Sequence, residues 1–115
     1  MVPHGAGKKN RHRYIGFIIA NTEKKLSRRE VNNGIKQAFF TLFKEDKPEH
    51  FGVKLVRFNG KEGVLHCFHK HKNDIIRLLQ SINKINGEHV KLKTVGTSGT
   101  IRSLNKKFFN GRLKR

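Results

Sequence analysis

The segment Arg13-Tyr-Ile-Gly-Phe-Ile-Ile-Ala-Asn21 decides how this chain folds. Ile15, Phe17 and Ile19 alternate with Tyr14, Gly16, Ile18 and Ala20, so an extended backbone here carries largely apolar residues on both faces. That pattern predicts a central strand covered on both sides, not one with a face in water. The rest of the chain has to supply two covering layers.

The first layer follows directly. Ser27-Arg-Arg-Glu30 has the spacing of a capping box, in which a serine hydroxyl and a glutamate carboxylate each accept a backbone N–H of the first turn. It predicts a helix from about Arg28 to about Phe43, with Val31, Ile35, Ala38 and Leu42 as its apolar stripe and Phe39 beside it. Phe40 points the opposite way, among Lys36, Gln37 and Lys44, and is the candidate for contact with a protein partner. After an acidic loop around Glu45, Asp46, Pro48 and Glu49, two strand-like runs, Gly52 to Asn59 and Val64 to His69, flank Asn59-Gly60, a strong hairpin signal. A second helix is predicted from about Asn73 to Ile85, with Ile75, Leu78, Leu79, Ile82 and Ile85 on one side and Asn86-Gly87 as its stop. Val90 to Val95 alternates as the last strand, Lys91 and Lys93 facing outward. The order β-α-β-β-α-β is the ferredoxin-like α+β arrangement, also that of RNA-recognition domains: a four-stranded antiparallel sheet backed by two helices.

One sheet face is still bare, and it is expected to accept the C-terminal helix or another protein. Gly96-Thr-Ser-Gly-Thr-Ile-Arg102 leads into Ser-Leu-Asn-Lys-Lys-Phe-Phe109, in which Ile101, Leu104 and Phe108 recur at helical spacing. Thr100 is the predicted N-cap. First-turn N–H groups lack intrahelical partners and carry the positive end of the peptide dipoles, which suits a phosphate. Arg102 and Lys106 project side by side from the outer face of this helix, with Lys107 on the other flank.

Charge points to the class of partner. There are 26 Lys and Arg against 8 Asp and Glu, a formal charge of +18 on 115 residues. All eight acids lie between Glu23 and Glu88, so the two ends are purely basic. Such a distribution fits a polyanion better than a solubility requirement, which would intersperse the signs. Candidate contacts to the backbone of such a polyanion are Lys8, Lys9, Arg11 and Arg13, then Thr100, Arg102, Lys106 and Lys107, with Arg112, Lys114 and Arg115 behind them. Residues 1–12 are expected to be a mobile basic arm, 13–109 one RNA-binding domain, and 110–115 a basic tail. The single cysteine, Cys67, excludes an intrachain disulfide and fits an intracellular protein, and no apolar run is long enough for a membrane span.

Other chemistry finds little support. His66-Cys67-Phe-His69-Lys-His71 has the residue types of a metal site, but on a strand His66 and Cys67 face opposite sides, and no second Cys/His pair has the spacing of a zinc finger. Cys67 is expected to be a small buried hydrophobe, no metal site is expected, and the scattered acids offer no catalytic constellation. The third strand, Gly63 to His69, lacks the aromatic signature of RNA-recognition domains, so base stacking on the open sheet is not expected.

Leu26-Ser-Arg-Arg-Glu30 before a helix, the strand ending Leu65-His-Cys67, the helix ending Ile82-Asn-Lys-Ile85, and above all Ser98-Gly-Thr-Ile-Arg102 followed by Lys107-Phe108 resemble the ribonuclease P protein component 2 family. The likeness runs from about Arg13 to Phe109 and departs from the family pattern in the His-rich Phe68 to His71 segment. It implies a small basic subunit of archaeal or eukaryotic ribonuclease P, the endoribonuclease that removes 5′ leaders from precursor tRNA. It further implies that a large RNA and its Mg²⁺ ions perform catalysis, with no cofactor bound by the protein. The implied partners are that RNA, precursor tRNA, the TIM-barrel-like component 3 subunit and other ribonuclease P proteins, with self-association left open and no membrane. The implied location is cytoplasmic in an archaeon and nuclear or nucleolar in a eukaryote. The alternative is a stand-alone RNA-binding or ribosome-associated protein.

Overall fold

The computed structural model describes residues 11–20, 24–111 and 113. Strand β1 (His12–Ala20) lies inside a sheet of order β2-β3-β1-β6, formed with β2 (Lys54–Phe58), β3 (Glu62–Phe68) and β6 (Lys91–Ser98). Every neighbouring pair is antiparallel, and the architecture is the expected ferredoxin-like α+β sandwich. Helices α1 (Arg28–Leu42) and α3 (Lys72–Ser81) cover one face. Helix α4 (Ile101–Phe109) covers part of the other.

The two-sided pattern of β1 divides as its alternation requires. Ile15, Phe17 and Ile19 join Leu55, Leu65, Cys67 and Leu92 against Val31, Ile35 and Phe39 of α1 and Ile75, Leu78 and Leu79 of α3. On the opposite face Tyr14 and Ile18 pack with Val64, Leu104, Phe109 and Leu113. Two bulges enlarge this second core. The register of β1 with β6 skips Val95, and that of β2 with β3 skips Val56; both valines pack on the α4 side.

The capping box is present: Glu30 N–H donates to Ser27 Oγ (3.1 Å) and Ser27 N–H donates to Glu30 Oε1 (2.8 Å). At the other end of α1, Leu42 is 45% exposed, contrary to the expected stripe. Its place is taken by a ring cluster, where Phe39 and Phe43 meet Phe51 at 5.0 Å and Phe51 stacks on His71 at 3.8 Å. Phe51 comes from α2 (Pro48–Phe51), one helical turn started by its proline in what reads as an acidic loop. At the start of α1, the Arg28 guanidinium donates to the Leu55 carbonyl of β2.

The second predicted helix is shorter than its apolar spacing implies. Ile82 is extended, and α3 ends at Ser81. Ile82 and Ile85 are buried as the spacing demands, but they lie in and beside a two-residue hairpin, β4 (Lys84–Ile85) with β5 (Glu88–His89). Asn86 and Gly87, both with positive φ (51° and 84°), form its turn and do not stop a helix. Asn86 Nδ2 donates to Glu30 Oε2 at 2.6 Å, tying this hairpin to the start of α1.

Gly96 to Ser98 belong to β6 and not to a flexible lead-in, and the reason lies beneath α4. Gly16 and Gly96 are cross-strand partners, leaving a trough in the sheet that is filled by α4 rings. A side chain at Gly16 would start 2.9 Å from Phe109 Cε2; one at Gly96 would start far inside contact with the Phe108 ring. Phe109, not the predicted Phe108, is the buried anchor, with Phe108 39% exposed. Beyond α4 the chain turns at Asn110 and Gly111, both left-handed, and Leu113 returns to the core. Its backbone is held by both ends of the Asn105 amide, at 3.0 and 3.1 Å. Leu113, within the expected basic tail, is buried.

Phe109 has nowhere to go and Phe108 can swing into water, so the two glycines should differ. Gly16→Val is expected to destabilise by about 1–3 kcal/mol and release α4, read as a lower thermal midpoint and faster amide exchange in Leu104 to Phe109. Gly96→Ala should do visibly less; equal effects would show that α4 docking does not hinge on the Gly16 trough.

Candidate nucleic-acid interface

The capped end of α4 is built as its sequence implies. Thr100 is extended (φ −139°, ψ 151°) and its Oγ1 accepts the Ser103 N–H at 3.1 Å. Thr100 N–H in turn lies 3.4 Å from Ser98 Oγ. Arg102 and Lys106, both exposed, line one groove with Asn105, Asn110 and Gly111, while the exposed Lys107 lies outside it. Helix α4 contains no acid, and among the described residues none of these three cations is ion-paired.

Arg13 meets this end of the helix from β1. Its Nη1 donates to the His12 carbonyl at 2.8 Å and lies 3.5 Å from where a side chain on Gly99 would begin. Arg11 precedes it, with its carbonyl accepting the His69 N–H at 2.7 Å. Around His69 stand Arg13, Arg11 and Lys72, so the start of β1 and the start of α3 share one cationic corner. Lys72 is absent from the sequence-based candidates. Its signal is the run His69-Lys-His-Lys72, whose metal-like histidines drew attention from its basic character. Lys8, Lys9, Arg112, Lys114 and Arg115 lie outside the described residues.

Phe40 is 50% exposed on the far side of α1, on the wall of a groove shared with Arg28, Asn32, Lys36, Pro48 and Lys54. The structure therefore separates it from the α4 cations, with α1 and α4 on opposite faces of the sheet.

The His/Cys segment has structural employment. Cys67 is fully buried on the helix side, and burial pushes its thiol up to about 12, so it stays protonated. His66, on the other face, sits with Nδ1 2.6 Å from the Gly52 carbonyl and Nε2 2.7 Å from His12 Nδ1. A carbonyl can only accept, so His66 Nδ1 carries the proton and His12 Nδ1 donates to Nε2. No group of three or more His, Cys, Asp or Glu among the described residues is arranged to hold a metal ion. Several acids serve local structure: Glu30 in the capping box, Asp46 near His50 (3.9 Å) and Asp74 near His71 (3.8 Å). No described helix is long and apolar enough to cross a membrane.

Comparison with known proteins places these features in context. The model of the Rpp14/Pop5 family matches residues 13–109. Ribonuclease P protein component 2 of Archaeoglobus fulgidus is 29% identical over 100 residues, covering 87% of this chain and 90% of that protein. The Pyrococcus furiosus protein of the same name is 28% identical over 104 residues, covering 89% and 86%. Among solved structures, a chain of the cryo-EM structure of yeast ribonuclease MRP superposes with a TM-score of 0.61 at 11% identity, covering 89% of this chain and 91% of that one, which shows the fold.

Two imidazoles make stability depend on pH. His66 is held below the ordinary histidine value, first by burial of the ring and further by His12 and Lys54, against the opposing bond to Gly52. His69 is lowered by desolvation and then by Arg13, Arg11 and Lys72. In this window the unfolded chain binds more protons than the folded one. Their contribution is therefore complete above about pH 6.5 and declines as pH falls below it. Glu30, held low by the Ser27 backbone and Asn86, contributes on a separate acid limb, lost only as pH falls below the ordinary carboxylate range. The thermal midpoint should drop between about pH 7 and pH 5, and His66→Gln should flatten that slope; an unchanged slope would remove His66 from the account.

Proposed function

The chain belongs to the Rpp14/Pop5 family, and on that premise we propose that it is a protein subunit of ribonuclease P, acting in removal of 5′ leaders from precursor tRNA. The observation that carries the reading is the capped end of α4, where Thr100, Arg102 and Lys106 form a cationic edge without acids, met by Arg13. Such an edge binds phosphates. Each cation placed on the RNA backbone releases condensed counterions and reduces the repulsion between strands that a folded RNA must pack closely. Lys107 extends the edge on its other flank, and Lys8, Lys9, Arg11, Arg112, Lys114 and Arg115 add diffuse attraction. Hydrolysis itself is assigned to the RNA and the Mg²⁺ it binds, while Glu30, Asp46 and Asp74 serve the protein's own structure. The location follows the RNA: cytoplasmic in an archaeon, nuclear or nucleolar in a eukaryote.

The component 3 subunit is the proposed protein partner, docking on the Phe40 groove. An exposed phenylalanine flanked by Arg28, Lys36 and Glu49 and facing away from α4 lets a protein be bound while the other face holds RNA.

Two results check this. Replacing Arg102 and Lys106 by alanine should leave the unfolding midpoint unchanged and lower the salt dependence of RNA affinity by about two units of log–log slope. It should also weaken RNA-dependent cleavage at low Mg²⁺; full retention of the slope would remove this edge from the interface. Phe40→Glu should abolish calorimetric binding of component 3 and spare RNA affinity. If the tagged chain instead brings down ribosomal subunits without component 3 or one long structured RNA, the stand-alone RNA-binding reading replaces this one.

A further inference from the structure

Helix α4 covers the open sheet face only in part. Its core stops at Tyr14, and beyond it, toward the start of β1, the two central strands present His12, Tyr14, His66 and Phe68, none of them buried. Tyr14 is the cross-strand partner of His66, and His12 that of Phe68. Their ring centroids lie 5.1 Å apart for Tyr14 and His66, 4.9 Å for His12 and His66, 5.8 Å for His66 and Phe68, and 6.3 Å for His12 and Phe68. Four rings on four adjacent positions make a patch, not a chance contact.

The patch is held still. His66 has both nitrogens engaged, by the Gly52 carbonyl and by His12, so it is neither a free metal ligand nor a proton-transfer group. Phe68 lies against Gly52, where a side chain would start 2.9 Å from the ring. His66 therefore offers its ring face and not its nitrogens.

Its surroundings select the occupant. The row across the sheet reads Lys54, His66, Tyr14, Ser98, with Lys54 exposed at one edge and Arg13 beside the far one. Arg11, Arg13 and Lys72 stand around His69 at the end of these strands, Arg13 as the cross-strand partner of Cys67 and so rooted on the helix side. Residues 11–14, 52–54, 66–70 and 96–99 contain no acid. A protein partner would need a wide apolar surface, but here rings alternate with cations. That combination suits a nucleic-acid strand, whose bases stack while its phosphates take the charge.

We propose that this patch binds an unpaired RNA base by stacking on Tyr14 and His66, extended by Phe68 and His12, with the adjoining phosphates on Lys54 at one edge and the Arg13 guanidinium at the other. The proposal rests on the RNA-binding reading above and deepens it: the α4 edge meets backbone, and this patch requires a base. The sequence pattern of RNA-recognition domains misses it because two of the four positions are histidines. The alternation that puts His66 and Phe68 on one face of β3 is nevertheless present.

Tyr14 is the only tyrosine, so its ring protons can be followed by NMR without ambiguity. The full chain would be titrated with an unstructured single-stranded RNA and with an abasic sugar-phosphate strand of equal length. The expected result is an upfield shift of the Tyr14 ring with the base-bearing strand alone, and weaker binding of the abasic strand by about tenfold or more. His66→Ala and Phe68→Leu should lose about that factor for the base-bearing strand only. His66→Phe, which keeps a ring and drops both hydrogen bonds, should bind as the parent does, and this separates stacking from a structural role. Equal affinities for the two strands with a stationary Tyr14 ring would overturn the patch and leave the phosphate reading standing. Binding of neither strand would bring down both.

Discussion

Two glycines facing each other across β1 and β6 determine what can lie on the open side of the sheet. Without side chains at Gly16 and Gly96, the sheet surface sinks by the depth of a Cβ, and Phe109 descends into the space until it is fully buried. Burying a phenylalanine contributes about 1.5–3 kcal/mol, enough to dock a helix of nine residues that would not persist alone. Docking in turn fixes the axis of α4, and the axis fixes where Thr100, Arg102 and Lys106 point. The cationic edge is a consequence of a packing decision made in the sheet.

The same decision leaves part of the sheet bare. A longer terminal helix, or one centred on Tyr14, would cover both ends, whereas α4 is placed by the glycines to one side and its core ends at Tyr14. The remaining surface is bounded by cations from β1 and β2, elements far apart in sequence. Charge in the chain is consequently sorted by use. Glu30, Asp46 and Asp74 hold helix starts and neighbouring histidines, while Arg102, Lys106 and Lys107 have no acidic partner among the described residues. For a chain with this excess of positive charge, self-repulsion is a standing cost that a polyanion relieves.

What the sequence discloses depends on how far apart the cooperating residues are. The capping box of α1, the Asn59-Gly60 turn and the Thr100 cap are local, and each forms as written. The two-faced β1 announces a second covering layer because alternation is also local. Asn86-Gly87 is equally local but ambiguous: the dipeptide serves a helix stop or a hairpin, and Ile82 and Ile85 have spacing consistent with either. Leu42 yields to Phe39, Phe43 and Phe51 because Phe51 arrives from a separate turn. The register that seats Tyr14 beside His66 is a long-range pairing, and that which sets Lys54 beyond them depends on a bulge at Val56, which no residue spacing reveals.

The outer strands β2 and β6 bear on how the molecule behaves before it meets RNA. An unpaired strand border is a template on which further chains can grow into aggregates. Here β2 has its Leu55 carbonyl occupied by the Arg28 guanidinium and carries Lys54, and β6 carries Lys91 and Lys93. A second copy approaching in register would set lysine against lysine. The positive charge suited to nucleic acid thus also opposes border-to-border pairing of copies.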